Sequence, residues 1–156
     1  MARARKATQT QSKLQMLLFG EEGTGKSTLA LQLAYFKRPD GKPFRVVYID
    51  NEDGSIDDFI GRLEADGINT ENIYIVYTQS LGETREYINK VKNKEDFHVL
   101  DDEGNETDEI VLDGDGEPFR ADAIVVDGTT ILNLTTKQAL VEFSKKRNTV
   151  KAKKKE

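Results

Sequence analysis

A glycine-rich segment at Gly20–Ser27 (GEEGTGKS) constrains the fold of this chain more than any other feature. An apolar run at Leu14–Phe19 comes directly before it, and residues 27–37 have the composition of a helix that stops before Pro39. The spacing G-x-x-x-x-G-K-S between a strand and a helix is typical of a phosphate-binding loop. It predicts a β-strand, a tight loop and an α-helix in that order, with successive loop N–H groups directed at one anion.

The side chains of this loop predict a nucleoside triphosphate as the ligand. Lys26 is expected to reach the β- and γ-phosphates, and the Ser27 hydroxyl is expected to hold Mg²⁺. A chance match in a glycine-rich turn is the alternative, and the flanking strand and helix disfavour it. The residues expected to contact the nucleotide are Gly20, Glu21, Glu22, Gly23, Thr24, Gly25, Lys26, Ser27 and Thr28.

Three more short apolar runs predict further strands, at Arg45–Asp50, Ile73–Tyr77 and Ala123–Asp127. Each run is continuous rather than alternating, as expected for strands of a parallel sheet that are covered on both faces. Helical patterns lie between the runs, which predicts an α/β protein with a mostly parallel sheet.

The helices between these strands carry their own start and stop signals. A capping box formed by Ser55 and Asp58 begins one helix, and Gly67 follows it as a stop. Two further helices are predicted, one starting at Ser80 with Tyr87, Ile88 and Val91 on one face, and one running from about Thr135 towards Arg147.

One acidic segment, residues 97–119, interrupts this alternation of strands and helices. Two apolar pieces, His98–Leu100 and Ile110–Leu112, flank a run of acidic and turn residues. That order predicts an inserted antiparallel β-hairpin with its turn at Gly104–Asn105. The acidic residues of 113–117 lack the spacing of a calcium loop, so we interpret them as polar turn residues.

Acidic residues at the ends of two predicted strands complete the candidate site. Asp127 ends one buried strand, which is the form expected of a second Mg²⁺ anchor. Glu52 follows the strand that ends at Asp50, and the carboxyl ends of parallel strands line the crevice where ligands bind. One of the carboxylates at this strand end, with Glu52 as the first choice, is therefore the candidate general base for the attacking water, and Lys26 is the second catalytic candidate.

Charge is distributed unevenly along the chain. Residues 1–13 carry four basic and no acidic side chains, and residues 137–156 carry eight basic and two acidic ones. Residues 14–136 carry 11 basic and 26 acidic side chains. The basic ends are interpreted either as solvated tails or as segments that contact a polyanion such as DNA through its phosphates.

Composition excludes several other classes of protein. The chain has no cysteine and one histidine, which excludes disulfide scaffolds, thiolate metal sites and histidine clusters. No apolar run approaches the roughly 20 residues that a membrane span needs, and no signal peptide is visible. We therefore expect a soluble, cytoplasmic protein with no membrane partner.

Taken together, the motifs resemble the ATPase core of RecA-type recombinases. They are more similar still to the RecA-like nucleotide-binding proteins of bacteriophages that assist single-strand annealing. The segments STLALQLA, YIDNEDGSID, the Gly82-Glu83 pair and AIVVDGTTIL follow the glycine-rich loop in the family's order, over residues 14–134. The inserted hairpin is a feature that phage relatives tend to have.

The resemblance implies a RecA-like P-loop NTPase fold, which is a three-layer sandwich. It implies ATP and Mg²⁺ as cofactors, Glu52 as the catalytic base, and Ser27 and Asp127 as the Mg²⁺ residues. It also implies ATP hydrolysis that drives DNA recombination or annealing on single-stranded DNA, in a homo-oligomer, by a bacterial protein or a phage protein in the host cytoplasm.

Two departures limit what the resemblance transfers. Gly128 follows the Mg²⁺ aspartate where the family usually has serine, and 29 residues follow Asp127, too few for the family's DNA-binding loops. We expect a nucleotide-binding domain at 14–144, either a fragment or a shortened relative, between basic tails at 1–13 and 145–156. The alternative functions are a small-molecule kinase and a non-catalytic ATP-binding switch module.

Overall fold

The computed structural model describes residues 14–21, 23–52 and 56–153, with side chains described for all of these except 131 and 147–153. Short 3₁₀ turns occupy Gln32–Tyr35 and Thr70–Asn72. The helices and strands, in chain order, are α1 (Lys26–Leu31), β1 (Val46–Asp50), α2 (Asp57–Ala65), β2 (Ile73–Tyr77), α3 (Leu81–Asn93), β3 (His98–Leu100), β4 (Glu106–Ile110), β5 (Ala123–Asp127) and α4 (Thr129–Lys153).

Three parallel strands form the central sheet, in the order β2-β1-β5. The register pairs Asp50 with Tyr77 on one side and with Asp127 on the other, so the carboxyl ends of the strands coincide. All five residues of β1 are buried because it is the middle strand. The α/β class, the parallel sheet and three of the four predicted main strands are confirmed.

Successive side chains of β1 point to opposite faces of the sheet, and an apolar cluster covers each face. Tyr48 packs with Leu31 and Leu63, which belong to α1 and α2. Ile49 packs on the other face with Phe97 of the inserted segment, and α3 adds partly buried side chains there. Each large apolar side chain buried in this way contributes about 1.5–3 kcal/mol to folding.

The prediction of a strand at Leu14–Phe19 is wrong. These residues lie outside the sheet, and Leu14 and Phe19 are 83% and 87% exposed. An apolar run is stable as a strand only where a neighbour pairs with its backbone and covers its side chains. None of the described strands does so here, and the glycine-rich loop follows an extended segment instead.

Two of the predicted helices are largely confirmed. The helix predicted over 27–37 forms in two parts, α1 and the 3₁₀ turn that ends at Tyr35. Helix α3 begins as predicted, since the Ser80 hydroxyl accepts a hydrogen bond from the N–H of Glu83 at 3.3 Å. Tyr87 packs against the sheet, whereas Ile88 on the neighbouring position is 39% exposed.

The other two predicted helices differ at their starts. The predicted cap residue Ser55 lies outside the described residues, and α2 is helical from Asp57. Its end is as predicted, because the N–H of Gly67 bonds the carbonyl of Glu64 at 2.9 Å. Helix α4 begins at Thr129, and Thr135 is inside it, with its hydroxyl donating to the carbonyl of Leu132.

The inserted hairpin is confirmed. Strands β3 and β4 pair antiparallel, with His98 opposite Ile110, and β4 starts earlier than the predicted piece at 110–112. The buried Asp113 accepts backbone N–H bonds from Asp115 and Glu117 at 3.0 and 3.1 Å, which is the behaviour of a turn residue. Among the described residues no group of three or more acidic or histidine side chains is placed to hold a metal ion.

Helix α4 is the longest element and runs across the domain boundary predicted at residues 144 and 145. Leu140, Val141 and Phe143 are exposed along it. Within the described part of the chain, no helix combines the length and the low polarity that crossing a bilayer requires. The predicted tail at 1–13 and residues 154–156 lie outside the described residues.

Candidate functional site

The glycine-rich loop closes around the side chain of Lys26. The ammonium group donates to the carbonyl oxygens of Gly20 and Glu21, at 3.1 and 2.8 Å. Thr24 donates its hydroxyl to the carbonyl of Glu21 at 2.8 Å, which tightens the same turn. Gly25 has φ +81°, a conformation that favours glycine, and leads the chain into α1. The ammonium group is therefore held at the loop, which is where it must lie for Lys26 to bind a phosphate.

Ser27 and Asp127 meet although 100 residues separate them in sequence. The Ser27 hydroxyl donates a hydrogen bond to Oδ2 of Asp127 at 2.5 Å, which joins the first turn of α1 to the carboxyl end of β5. The N–H of Gly128 donates to the other carboxylate oxygen at 2.9 Å. Hydroxyl and carboxylate oxygens are hard ligands of the kind that Mg²⁺ prefers. The two residues predicted to hold the metal thus lie side by side.

A second hydroxyl, which the sequence reasoning missed, reaches the same carboxylate oxygen. Tyr48 donates to Oδ2 of Asp127 at 2.5 Å, and its side chain is fully buried. Burial, together with the hydrogen bond and charge of Asp127, raises the pKa of the Tyr48 hydroxyl well above its ordinary value, so it remains a donor at neutral pH. A tyrosine within a continuous apolar strand was the available signal, because a buried hydroxyl needs a partner.

Glu52 lies at the end of the neighbouring strand, beside the turn that follows Asp127. The backbone N–H of Asn51 bonds the carbonyl of Asp127 at 3.0 Å, and the N–H of Glu52 bonds the carboxylate of Asp50 at 2.8 Å. The Glu52 side chain is exposed and lies against Gly128, where a Cβ would come within 2.6 Å of Glu52 Cγ. The candidate base and the candidate metal aspartate are therefore neighbours at one edge of the sheet.

The other residues predicted to contact the nucleotide differ in where they lie. Glu22 lies outside the described residues, and Glu21 contributes its backbone carbonyl to the loop. Gly23 is exposed, and Thr28 is half-buried in α1. A pocket of about 350 Å³ adjoins the loop, and its lining includes Leu17, Phe19, Gly20, Thr24, Lys26 and Leu29.

These features define the class of the protein. A parallel sheet with a glycine-rich loop, a loop lysine and a hydroxyl bonded to a strand-end aspartate is the arrangement of a P-loop nucleotide-binding domain. The family model for the AAA domain matches residues 13–130, and the chain belongs to this family of P-loop ATPases. No curated protein and no solved structure matches the chain. The matched range includes the loop, Glu52 and Asp127.

Proposed function

We propose that this chain binds ATP together with Mg²⁺ at Gly20–Ser27 and that by itself it hydrolyses ATP slowly. The observation that carries the proposal is the 2.5 Å hydrogen bond between the hydroxyl of Ser27 and the carboxylate of Asp127. It supports a Mg²⁺ site because a hydroxyl and a carboxylate oxygen are adjacent next to the loop that would hold the phosphates. Bound there, the ion would neutralise negative charge on the phosphate groups.

The chain's own residues have distinct roles in this proposal. The ammonium group of Lys26, held at the loop carbonyls, binds the phosphate chain and balances part of its charge. Glu52 accepts the proton of the water that attacks the γ-phosphate, a role that its exposed side chain beside Gly128 supports. Asp127 orients the Ser27 hydroxyl, so that its lone pairs are directed away from the carboxylate.

The proposed biological work is ATP-driven DNA recombination or single-strand annealing by a RecA-like homo-oligomer. It rests on the resemblance of the motifs, in their order along the chain, to RecA-like phage proteins. The basic composition of residues 137–156 adds a segment suited to the phosphates of single-stranded DNA. The small-molecule kinase is disfavoured because the segment inserted at 97–119 is acidic, whereas a phosphate lid needs arginines.

The proposal is tested by measuring ATP affinity with Mg²⁺ and with a chelator, for the wild-type chain and for Asp127→Asn. We expect the variant to lose about tenfold or more in affinity with Mg²⁺ and nearly nothing with the chelator, because Asp127 acts through the ion. Asp108→Asn, an exposed carboxylate of β4, is the control and should match the wild type. An equal loss under both conditions would make Asp127 a purely structural residue and contradict the proposed site.

A further inference from the structure

We propose that Tyr48 is a positioning residue for Mg²⁺-dependent nucleotide binding, acting through the carboxylate of Asp127. The inference rests on the proposed function, since it concerns the same metal site. Tyr48 lies in the apolar cluster between the sheet and helices α1 and α2, and would not itself contact the ion or the nucleotide. It differs in this respect from Ser27 and Asp127, whose oxygens would face the metal.

The carboxylate of Asp127 accepts three hydrogen bonds in this structure. Oδ2 accepts the hydroxyls of Ser27 and Tyr48, both at 2.5 Å, and Oδ1 accepts the N–H of Gly128 at 2.9 Å. Rotation of the carboxylate about its Cβ–Cγ bond would break at least one of these bonds. The three donors together therefore fix the plane of the carboxylate. Gly128 is next to Asp127 in sequence and Ser27 belongs to the glycine-rich loop, whereas Tyr48 is neither.

The sheet register explains why Tyr48 reaches Asp127. Tyr48 lies opposite Val125 in the parallel pairing of β1 with β5, and Asp127 is two residues further along β5. Residues two apart on a strand share a face, so Asp127 is the diagonal neighbour of Tyr48, within reach of a tyrosine side chain. Helix α1 packs on that same face and brings Ser27 to the same oxygen.

Tyr48 is held by more of the fold than Ser27, the other hydroxyl donor. Its strand is paired on both sides, and its ring is completely buried against Leu31, Ala34, Ile56 and Leu63. Ser27, by contrast, is on a six-residue helix that follows an exposed loop. The Tyr48 hydroxyl therefore provides a fixed point that sets where the carboxylate, and through it the Ser27 hydroxyl, is located. Partners that orient metal ligands in this way commonly change metal affinity by about 10- to 100-fold.

The test compares Tyr48→Phe with Tyr74→Phe, which each remove one hydrogen-bonded hydroxyl from a strand of the central sheet and keep the ring. Tyr74 is a matched control because burial raises its pKa to about 12, and its hydroxyl bonds the carbonyl of His98 on the other face of the sheet. Mg²⁺ is titrated at fixed ATP, ATP affinity is measured with a chelator, and thermal unfolding is recorded for all three proteins. We expect Tyr48→Phe to raise the Mg²⁺ concentration at half-saturation about tenfold. The ATP affinity of Tyr48→Phe with the chelator should equal that of the wild type. For Tyr74→Phe, both the Mg²⁺ concentration at half-saturation and the ATP affinity with the chelator should equal those of the wild type.

The outcomes separate the inference from the function on which it rests. If Tyr48→Phe unfolds at a lower temperature but has the Mg²⁺ dependence of the wild type, the hydroxyl is only a satisfied core group and the inference is overturned. If the wild-type chain binds no ATP under any condition, the proposed function itself fails.

A second measurement serves if Tyr48→Phe does not fold. 3-Fluorotyrosine is incorporated at position 48 or 74, and its ¹⁹F resonance is followed as Mg²⁺ is added to the ATP-bound protein. We expect the resonance at 48 to shift and the one at 74 to stay in place. Equal behaviour of the two labels would overturn the inference.

Discussion

The side chain of Glu52 occupies the space that a side chain at Gly128 would need. A Cβ on Gly128 would lie 2.6 Å from Cγ of Glu52 and 3.1 Å from Cβ of Asn51, and the φ of Gly128 is +80°. Real Cβ atoms essentially never show a contact of 2.6 Å, so a side chain at 128 must displace Glu52 or the turn. The glycine that follows Asp127 is thus what allows the candidate base to lie beside the candidate metal aspartate.

We predict that Gly128→Ala slows ATP hydrolysis more than it weakens ATP binding, because it moves Glu52 and leaves the glycine-rich loop in place. Gly116→Ala is the control, since Gly116 has a similar φ of +77° but nothing within 4 Å of an added Cβ. Both variants should lose about 1–2 kcal/mol of stability from backbone strain. Phosphate release and ATP titration of the two proteins measure the difference. If Gly128→Ala hydrolyses ATP as fast as Gly116→Ala, the role of Glu52 in hydrolysis does not depend on the space beside Gly128.

Glu52→Gln should lower the rate of ATP hydrolysis while ATP affinity stays unchanged. The amide cannot accept the proton of the attacking water, and loss of a general base typically costs about 10²- to 10⁴-fold in rate. Steady-state phosphate release gives the rate, and equilibrium titration gives the affinity. Glu103→Gln, an exposed acid of the hairpin, controls for the loss of one negative charge. Unchanged hydrolysis by Glu52→Gln would exclude this residue as the base.

At the opposite ends of the strands, Asp113 has a structural role. It lies in the inserted segment, its side chain is 2% exposed, and it pairs with Arg45 at 3.3 Å. Asp113→Ala leaves the half-buried guanidinium with Asp122 alone and removes the acceptor for two turn N–H groups. We expect a loss of about 3 kcal/mol in the free energy of unfolding, with ATP affinity unchanged. Urea denaturation measures this loss, and a shift in ATP affinity would mean that this end of the sheet contributes to the site.

The basic residues near the end of the chain lead to a prediction about DNA. If they contact phosphates, binding of single-stranded DNA falls steeply with salt and does not depend on base sequence. Replacing seven of these basic residues by glutamine should abolish the binding, because the substitution removes their positive charge. Glutamine has a helix propensity similar to that of lysine and arginine. The seven residues are Lys145, Lys146, Arg147, Lys151, Lys153, Lys154 and Lys155. Replacing the exposed Lys37 and Lys92 instead should have little effect. Fluorescence anisotropy at several salt concentrations measures the binding of single-stranded DNA. Binding that does not depend on salt would contradict the electrostatic interpretation.

The sequence predicted the strands correctly where the residues themselves favour β-structure. Strands β1, β2 and β5 have continuous β-branched and aromatic runs, and they formed as predicted. The run Leu14–Phe19 is equally apolar, yet whether it pairs depends on a neighbour that local sequence does not specify. The start of α4 was missed for a similar reason, because Gly128 turns the chain into a helix earlier than the Thr135 cap signal indicated.

The candidate site was predictable to the extent that its residues belong to motifs. The spacing around Lys26 and Ser27 predicted the loop, and the strand-end position of Asp127 predicted that it would lie near Ser27. The bond from Tyr48 to Asp127 could not be predicted, because it depends on the register of β1 against β5. The fit of Glu52 against Gly128 likewise requires the three-dimensional positions of two strand ends.

The measurement that tests the central claim most directly is the ATP affinity of Lys26→Ala in the presence of Mg²⁺. The variant removes the cation that the loop carbonyls hold, and a charge-assisted hydrogen bond to phosphate contributes about 1.5–3 kcal/mol. We predict that Lys26→Ala binds ATP about 10- to 100-fold more weakly than the wild type, and that Lys37→Ala, an exposed lysine after α1, binds it equally well. Equal ATP affinities for Lys26→Ala and the wild type would contradict the assignment of Gly20–Ser27 as the nucleotide-binding loop.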